Sequence, residues 1–436
     1  MEGASLITND ETDPKGEQLP EHDQTPSGRE NLSNIETMFN ICCGITGTGL
    51  LAMAFVFRCA GLWALLIVPT VAIAGNYTGQ ILIDLLYETD SNGVRYRARE
   101  GYLDIGDKLA PNFGKVFVNA VNLVENLAHC VLILLLAGGI MNEIVPFIND
   151  DMWTVICSLP LFAVIFLERI RSLSKVAMAT VGVGVGLIAF TTTYSLRFTA
   201  NWNNTIKTGE IFDLKRFSLG LGITIVTYAC QPYLPFIEKD MKNREDFGKI
   251  MNISYGVVTV IKIVSGLFIY LAYENMTHPL MTLDLPHGWL RTVSSLLLFV
   301  VAMAFFVFPM FTVFNIIDQN WPKRYRAVER VGTIKCMVRL LVMCLAIVLA
   351  VITPHFGIGI ALVGNFTANI LIFIVPCLCH IKFNYPNIPL RYLVIDVTIL
   401  IVFTVLGVIG IISSTSELVL SSKVEDLNPT DPIKNL

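Results

Sequence analysis

Eleven long apolar runs, nearly free of charge, set the pattern of this chain: 37–57, 62–87, 116–140, 152–167, 174–194, 217–237, 252–273, 291–317, 337–353, 356–379 and 392–413. A helix rises about 1.5 Å per residue, so roughly 20 apolar residues cross the hydrocarbon of a bilayer. Each run predicts one membrane helix, and the whole chain an all-α polytopic membrane protein. The fourth run is short and the eighth long, which predicts tilt, or a kink at Pro309.

Two runs carry an interruption at their middle. The first, Thr37 to Phe57, contains Gly44-Ile45-Thr46-Gly47-Thr48-Gly49. The sixth, Phe217 to Ile237, contains Tyr228-Ala229-Cys230-Gln231-Pro232-Tyr233-Leu234-Pro235. Hydrocarbon offers no water to freed backbone groups, so a broken helix at membrane depth survives only around a cavity or within packed protein. Glycine unwinds without steric cost, and proline removes an amide hydrogen and leaves upstream carbonyls without helical partners. The glycine break therefore offers a half-helix N-terminus and the Thr46 and Thr48 hydroxyls to a carboxylate. The proline break offers carbonyls to an ammonium group. Together they describe a small zwitterionic amino acid bound by Gly44, Thr46, Gly47, Thr48 and Gly49 on one side and Thr227, Tyr228, Ala229, Cys230 and Gln231 on the other. Glycine and proline are common in membrane helices, so either break alone says little. Breaks in matching positions of two halves mark the substrate site of an inverted-repeat transporter.

Composition agrees with the hydrophobic pattern. Of 436 residues, 54% are hydrophobic and only 15% charged, with mean hydropathy +0.62, against about 25% charged in an ordinary soluble protein. The net charge of −4 is spread over tails and loops and points to no nucleic-acid partner. Lys and Arg set the orientation. Clusters such as Arg95, Arg97 and Arg99, or Lys323, Arg324 and Arg326, fall in alternate loops, which places the N-terminus in the cytoplasm and the C-terminus in a lumen or outside.

Three regions follow: an acidic, disordered tail at 1–36, a transmembrane transporter domain at 37–413 and a short luminal or extracellular tail at 414–436. The first tail lacks the pattern of a cleaved signal peptide. Its Glu2-Gly3-Ala4-Ser5-Leu6-Ile7 has the form of a sorting signal for clathrin adaptors, carried by Glu2, Leu6 and Ile7, though chance alone supplies such patterns often. Two outer loops hold glycosylation sequons at Asn203 and Asn275. The ten cysteines lie in or at the edges of spans and predict neither a disulfide framework nor a metal site, and no cofactor is expected. The run Val181-Gly182-Val183-Gly184-Val185-Gly186 lies in mid-span, where small residues predict close helix packing rather than a phosphate loop.

Ionisable groups inside spans cost at least about 2.5–3.5 kcal/mol each, and so are functional candidates. Glu125 and His129, four apart, share a helix face and form a candidate proton-coupling pair, with a structural buried pair as the alternative. Lys262 and Asp396 read as gate or structural groups that pack or snorkel, and Asp84, Glu238 and Asp318 as parts of an inner gate. The eighth span offers a single hydroxyl, Thr312, between Leu296 and Ile317, which disfavours a sodium site.

At these residues the chain resembles the amino acid/auxin permease family, in particular its vesicular inhibitory amino acid transporter branch. The resemblance runs from 34 to about 420. It is carried by Tyr77-Thr78-Gly79-Gln80-Ile81-Leu82-Ile83 with Leu86-Tyr87-Glu88, by Tyr228 through Glu238, and by Ser174-Lys175, Asn252, Lys262, Pro354-His355-Phe356 and Asp396. Glu125 matches a glutamate of that branch, and His129 is particular to this chain. Gly47-Thr48-Gly49-Leu50-Leu51 with Ala60-Gly61 looks more like the proton-coupled small amino acid transporters of the same family, with Ala54 in place of a proline. The resemblance implies a LeuT-type fold of five spans, five inverted spans and one extra. It also implies proton-driven transport of a small neutral amino acid such as glycine or GABA into vesicles. A plasma-membrane or lysosomal symporter and a non-transporting amino acid sensor stay open beside it. A membrane enzyme is disfavoured, since no nucleophile–base constellation appears on one face.

Overall fold

The structure is a computed structural model that describes residues 32–46, 52–166, 173–202, 212–273, 288–319, 331–353 and 356–427, with isolated positions 49, 282, 285 and 286. The first predicted span is two helices, α1 (Asn34–Thr46) and α2 (Met53–Ala60). Ser33 and Glu36 form a reciprocal capping box at the start of α1, with Ser33 N donating to Glu36 Oε2 at 2.8 Å and Glu36 N to Ser33 Oγ at 3.3 Å. Gly61, at φ 57, opens one turn of 3-10 helix that redirects the chain into α3 (Ala64–Asp84). A hairpin of β1 (Tyr87–Thr89) and β2 (Arg95–Arg97) leads to the short α4 (Tyr102–Leu109) and the long α5 (Phe113–Ile144).

The fourth span is α6 (Asp150–Ser158) continued by the 3-10 stretch Leu159–Phe166, where Pro160 cannot supply an α-helical amide. Then follow α7 (Leu173–Ser195), α8 (Leu214–Val226), α9 (Leu234–Lys239) and α10 (Phe247–Tyr273). Asp213 caps α8 by accepting from Lys215 N at 2.9 Å. The last helices are α11 (Trp289–Gln319), α12 (Val331–Ile352), α13 (Phe356–Asn384) and α14 (Leu390–Leu427). Pro309 lies inside α11, which is assigned as a single helix.

Among the described residues, eight helical stretches are long and apolar enough to cross a membrane. The first, fourth and sixth predicted spans are assembled from shorter pieces. Burial separates the centre from the periphery. α5 and α13 bury 61% of their most apolar window, α12 only 17% and α14 28%, so the last two present mostly apolar surface outward. Leu66, Ile73, Val260, Leu341 and Ile401 are among the exposed large apolar residues, as a lipid-facing surface requires.

α13 contains two π-helical stretches, Gly364–Ala368 and Ile370–Ile374. The first crosses α8 so closely that a Cβ on Gly364 would overlap the Gly222 carbonyl, and Asn365 Nδ2 donates to Ser218 O at 3.0 Å. The glycine run at 182–186 behaves otherwise than expected. An added Cβ at Gly182, Gly184 or Gly186 would meet nothing within 4 Å, so these glycines face open space and do not mediate close packing. α1 begins at Asn34, and α14 runs on as helix to Leu427.

Candidate functional site

The two breaks meet at the centre of the molecule. A Cβ on Gly44 would come 3.2 Å from Cys230 Cβ, and one on Gly49 would run into the Thr227 side chain. The predicted binding residues of the first and sixth spans therefore abut. Thr46, Thr227, Tyr228, Cys230 and Gln231 are all buried there, and Ala229 is partly buried. Gly47 and Thr48 lie outside the described residues.

The second break runs from Thr227 to Tyr233 in tight turns rather than as loose coil. Cys230 N donates to Tyr228 O, and Tyr233 N to Cys230 O, each at 2.9 Å. Side chains complete its fixation. Gln231 Nε2 donates to Gly75 O of α3 at 3.2 Å. Tyr228 stacks on Tyr255 of α10 with ring centroids 5.7 Å apart, and its hydroxyl meets Thr259 Oγ1 at 2.8 Å. Tyr233 OH donates to Asn126 Oδ1 of α5 at 2.6 Å.

The carbonyls expected to await an ammonium group are partly taken. Lys262 of α10 neither snorkels nor reaches a cytoplasmic gate. It is 0% exposed, and its Nζ donates to Ile45 O at the end of α1 (2.8 Å) and to Thr227 O past the end of α8 (2.7 Å). It also meets Thr227 Oγ1 at 2.8 Å.

Glu125 and His129 share a face of α5, as their spacing predicts. His129 Nδ1 lies 2.9 Å from the Glu125 carbonyl oxygen and 3.6 Å from Glu125 Oε1. Thr367, in the first π stretch of α13, donates to Glu125 Oε2. Among the described residues the buried Oε1 has no hydrogen-bond partner. Both side chains line a cavity of about 20 Å³ together with Ala229, Pro232 and Tyr233 of the second break and Ala368 and Leu371 of α13. A cavity of this size holds about one water. The candidate proton site and one of the candidate substrate breaks thus share one small, mostly apolar space, closed in this conformation to anything as large as an amino acid.

Towards the cytoplasmic end assigned by the charge pattern, Glu238 at the C-terminal end of α9 is 1% exposed. It accepts from Tyr87 and from Arg97, which face each other across the open end of the hairpin, and lies 3.9 Å from Arg244. Arg97 also donates to Pro235 O at 3.0 Å and Glu100 O at 3.1 Å, so the hairpin clasps α9. Lys108 and then Arg99 beside Glu88 hold its carboxyl below the usual range. Leu32 adds a backbone clasp: its N donates to Asp240 O at 2.8 Å and its O accepts from Lys242 N at 3.0 Å. Asp84 pairs with Arg95 in the open, and Asp318 with Arg339 at 2.6 Å. Asp396, fully buried on α14, accepts from Tyr77 OH at 2.8 Å and meets His380 Nδ1 at 2.6 Å, which ties α14 to α3 and α13 as a packing group.

Arg97, Tyr87, Thr367 and His380 had no place in the sequence reading of the site. From sequence Arg97 is one of many loop cations, and neither a threonine in mid-span nor a histidine at a span end carries a distinguishing pattern. Glu2, Leu6, Ile7, Asn203 and Asn275 lie outside the described residues.

A family model described as "Transmembrane amino acid transporter protein" matches residues 30–420. A vesicular inhibitory amino acid transporter from Xenopus tropicalis is 25% identical over 407 residues, covering 90% of this chain and 78% of that protein. A vesicular GABA transporter from Caenorhabditis elegans is 25% identical over 361 residues, covering 81% and 73%. Among solved structures, a manganese transporter from Eremococcus coleocola is similar with TM-score 0.54 at 13% identity, over 92% of this chain and 93% of that one. That likeness shows a shared LeuT-type fold and nothing of the cargo. Relatives and fold alike are those of transporters, not enzymes.

Proposed function

The chain belongs to the transmembrane amino acid transporter family, and from that premise we propose that it is a secondary active transporter of a small neutral amino acid, glycine- or GABA-like, driven by a proton gradient. The substrate is taken from the cytoplasm into an acidic vesicle while protons move outward. The N-terminus lies in the cytoplasm and the C-terminus in the lumen, across eleven spans. The carboxylate of the substrate sits at the first break, among Gly44, Thr46, Gly47, Thr48 and Gly49, and the rest of it against Tyr228 through Gln231. The names of the relatives support the substrate class and the vesicle.

The observation that carries the coupling is the cavity shared by Glu125, His129 and the second break. A carboxyl at membrane depth with one oxygen unsatisfied can bind and release a proton as water enters and leaves. The same event reaches the break through Ala229, Pro232 and Tyr233. Glu238, held by Arg97 and Tyr87, is the inner gate that must release α9 before the pathway opens to the cytoplasm.

The test is uptake of radiolabelled glycine and GABA by purified protein in liposomes, with sodium absent and the pH gradient set either way. Accumulation driven by an acidic interior is the expected result. Accumulation driven by an acidic exterior makes the chain a symporter. Substrate binding without uptake in either direction makes it a sensor.

A further inference from the structure

Lys262 is the charged group at the centre that neither the proton pair nor the substrate accounts for. Its Nζ has three oxygens within 2.7–2.8 Å: Ile45 O, Thr227 O and Thr227 Oγ1. Two are carbonyls and can only accept. The third also accepts, because the Thr227 hydroxyl gives its own hydrogen to Thr224 O at 2.7 Å. Three acceptors need three N–H donors, which an ammonium has and a neutral amine lacks. The Nζ further lies 3.3 Å from the Tyr228 ring centroid, a geometry that favours a cation. Among the described residues no carboxylate pairs with Lys262; two carbonyls, the Thr227 hydroxyl and the Tyr228 ring surround its ammonium.

The position explains why a charge is tolerated there. Ile45 lies in the last turn of α1 and Thr227 at the C-terminal end of α8, and both carbonyls belong to the negative ends of interrupted helices. In transporters with discontinuous helices, such carbonyls coordinate the coupling cation.

We propose that Lys262 is a tethered cation. Its ammonium fills the place of a free coupling ion between the two breaks and assembles the site without sodium. The charge stays with the protein through the cycle instead of being carried across. This deepens the transport reading by specifying what that site does not need, and its geometry does not depend on which amino acid is moved.

The experiment compares full-length wild type, Lys262→Ala and Lys262→Met, purified in detergent, by thermal unfolding in choline, sodium, lithium or methylammonium chloride at equal ionic strength. The wild-type midpoint should be the same in all four. Lys262→Ala should melt lower in choline and regain stability saturably with methylammonium or sodium. In liposomes it should lose about tenfold or more of uptake in choline, because three charge-assisted hydrogen bonds go with the ammonium. A sodium-dependent rise in the wild-type midpoint would show a free cation site and overturn the proposal. So would a folded Lys262→Ala that responds to no small cation. If the alanine variant does not fold, the methionine variant fills the space of the lysine stem, and wild-type uptake by it would equally refute the role of the charge. Melting needs no substrate: a protein that moves no amino acid sinks the transport reading and leaves the cation result standing.

Discussion

Replacing Arg97 by Ala tests the inner gate directly. Arg97 and Glu238 are 11% and 1% exposed, and Arg97 also holds Pro235 O and Glu100 O. Removing one partner of a fully buried ion pair costs about 3–5 kcal/mol, because the other charge is left uncompensated. The full figure does not apply here. Arg97 is partly wet, Tyr87 still donates to Glu238, and Arg244 lies 3.9 Å away and can move closer. About 2 kcal/mol is a reasonable share, which is roughly a 30-fold shift in the equilibrium between clasped and released α9. Hydrogen–deuterium exchange reads that shift without any substrate. Amides of 234–242 and of the hairpin, including Ala98 N bonded to Leu86 O at 2.9 Å, should exchange about 30-fold faster, by the same conversion. Those of α5 should stay as they are. Adding Glu238→Gln to Arg97→Ala should recover most of the loss, since a neutral amide needs no counter-charge. Exchange within about twofold of wild type in the single variant would refute the clasp as an energetic gate.

Gly49→Val should reduce uptake by more than about tenfold while membrane abundance stays near normal, since its Cβ would displace Thr227 and with it a ligand of Lys262. Normal transport by that variant would remove the first break from the site. Glu125→Gln keeps an acceptor for Thr367 but cannot release a proton. It should abolish gradient-driven accumulation and spare substrate exchange, and equal loss of both would make Glu125 structural. Replacing Leu6 and Ile7 by Ala should shift a tagged protein from internal vesicles to the cell surface by imaging, and identical distributions would retire the sorting signal.

The features legible in the sequence are those whose physics is local. Glycine and proline act on their own stretch of backbone, so both breaks showed at 44–49 and 228–235 before any contact was known. The spacing of Glu125 and His129 is a property of one helix and needed no partner. What could not be read depends on distant pairing. Thr367 and Glu125 are 242 residues apart, and Arg97 and Glu238 are 141 apart. Hydrophobic periodicity says that Lys262 sits in a span but not which carbonyls surround its tip. The glycines at 182–186 misled for the same reason: a small residue permits a close approach, and only the neighbour decides whether one occurs.

Lys262 and Glu125 act on the same short break from opposite ends, and this bears on how a proton could drive movement. Lys262 fixes the first residue of the break, Thr227, against the end of α1. Tyr233, its last, is tied to Asn126, the neighbour of Glu125 on α5, and borders the same cavity. Between them the chain turns through Cys230 and Pro232, with Tyr228 held to α10 and Gln231 to α3. One end is therefore an anchor and the other an input. On the proposed mechanism, a change of charge or water at Glu125 moves Tyr233 relative to Thr227 and so reorients α9, whose six residues carry Pro235 and Glu238 at either end of the Arg97 clasp. A helix this short transmits a shift at its start to its end with little loss. The proton site, the substrate break and the inner gate then need no long relay, because one turn and a half of helix connects them.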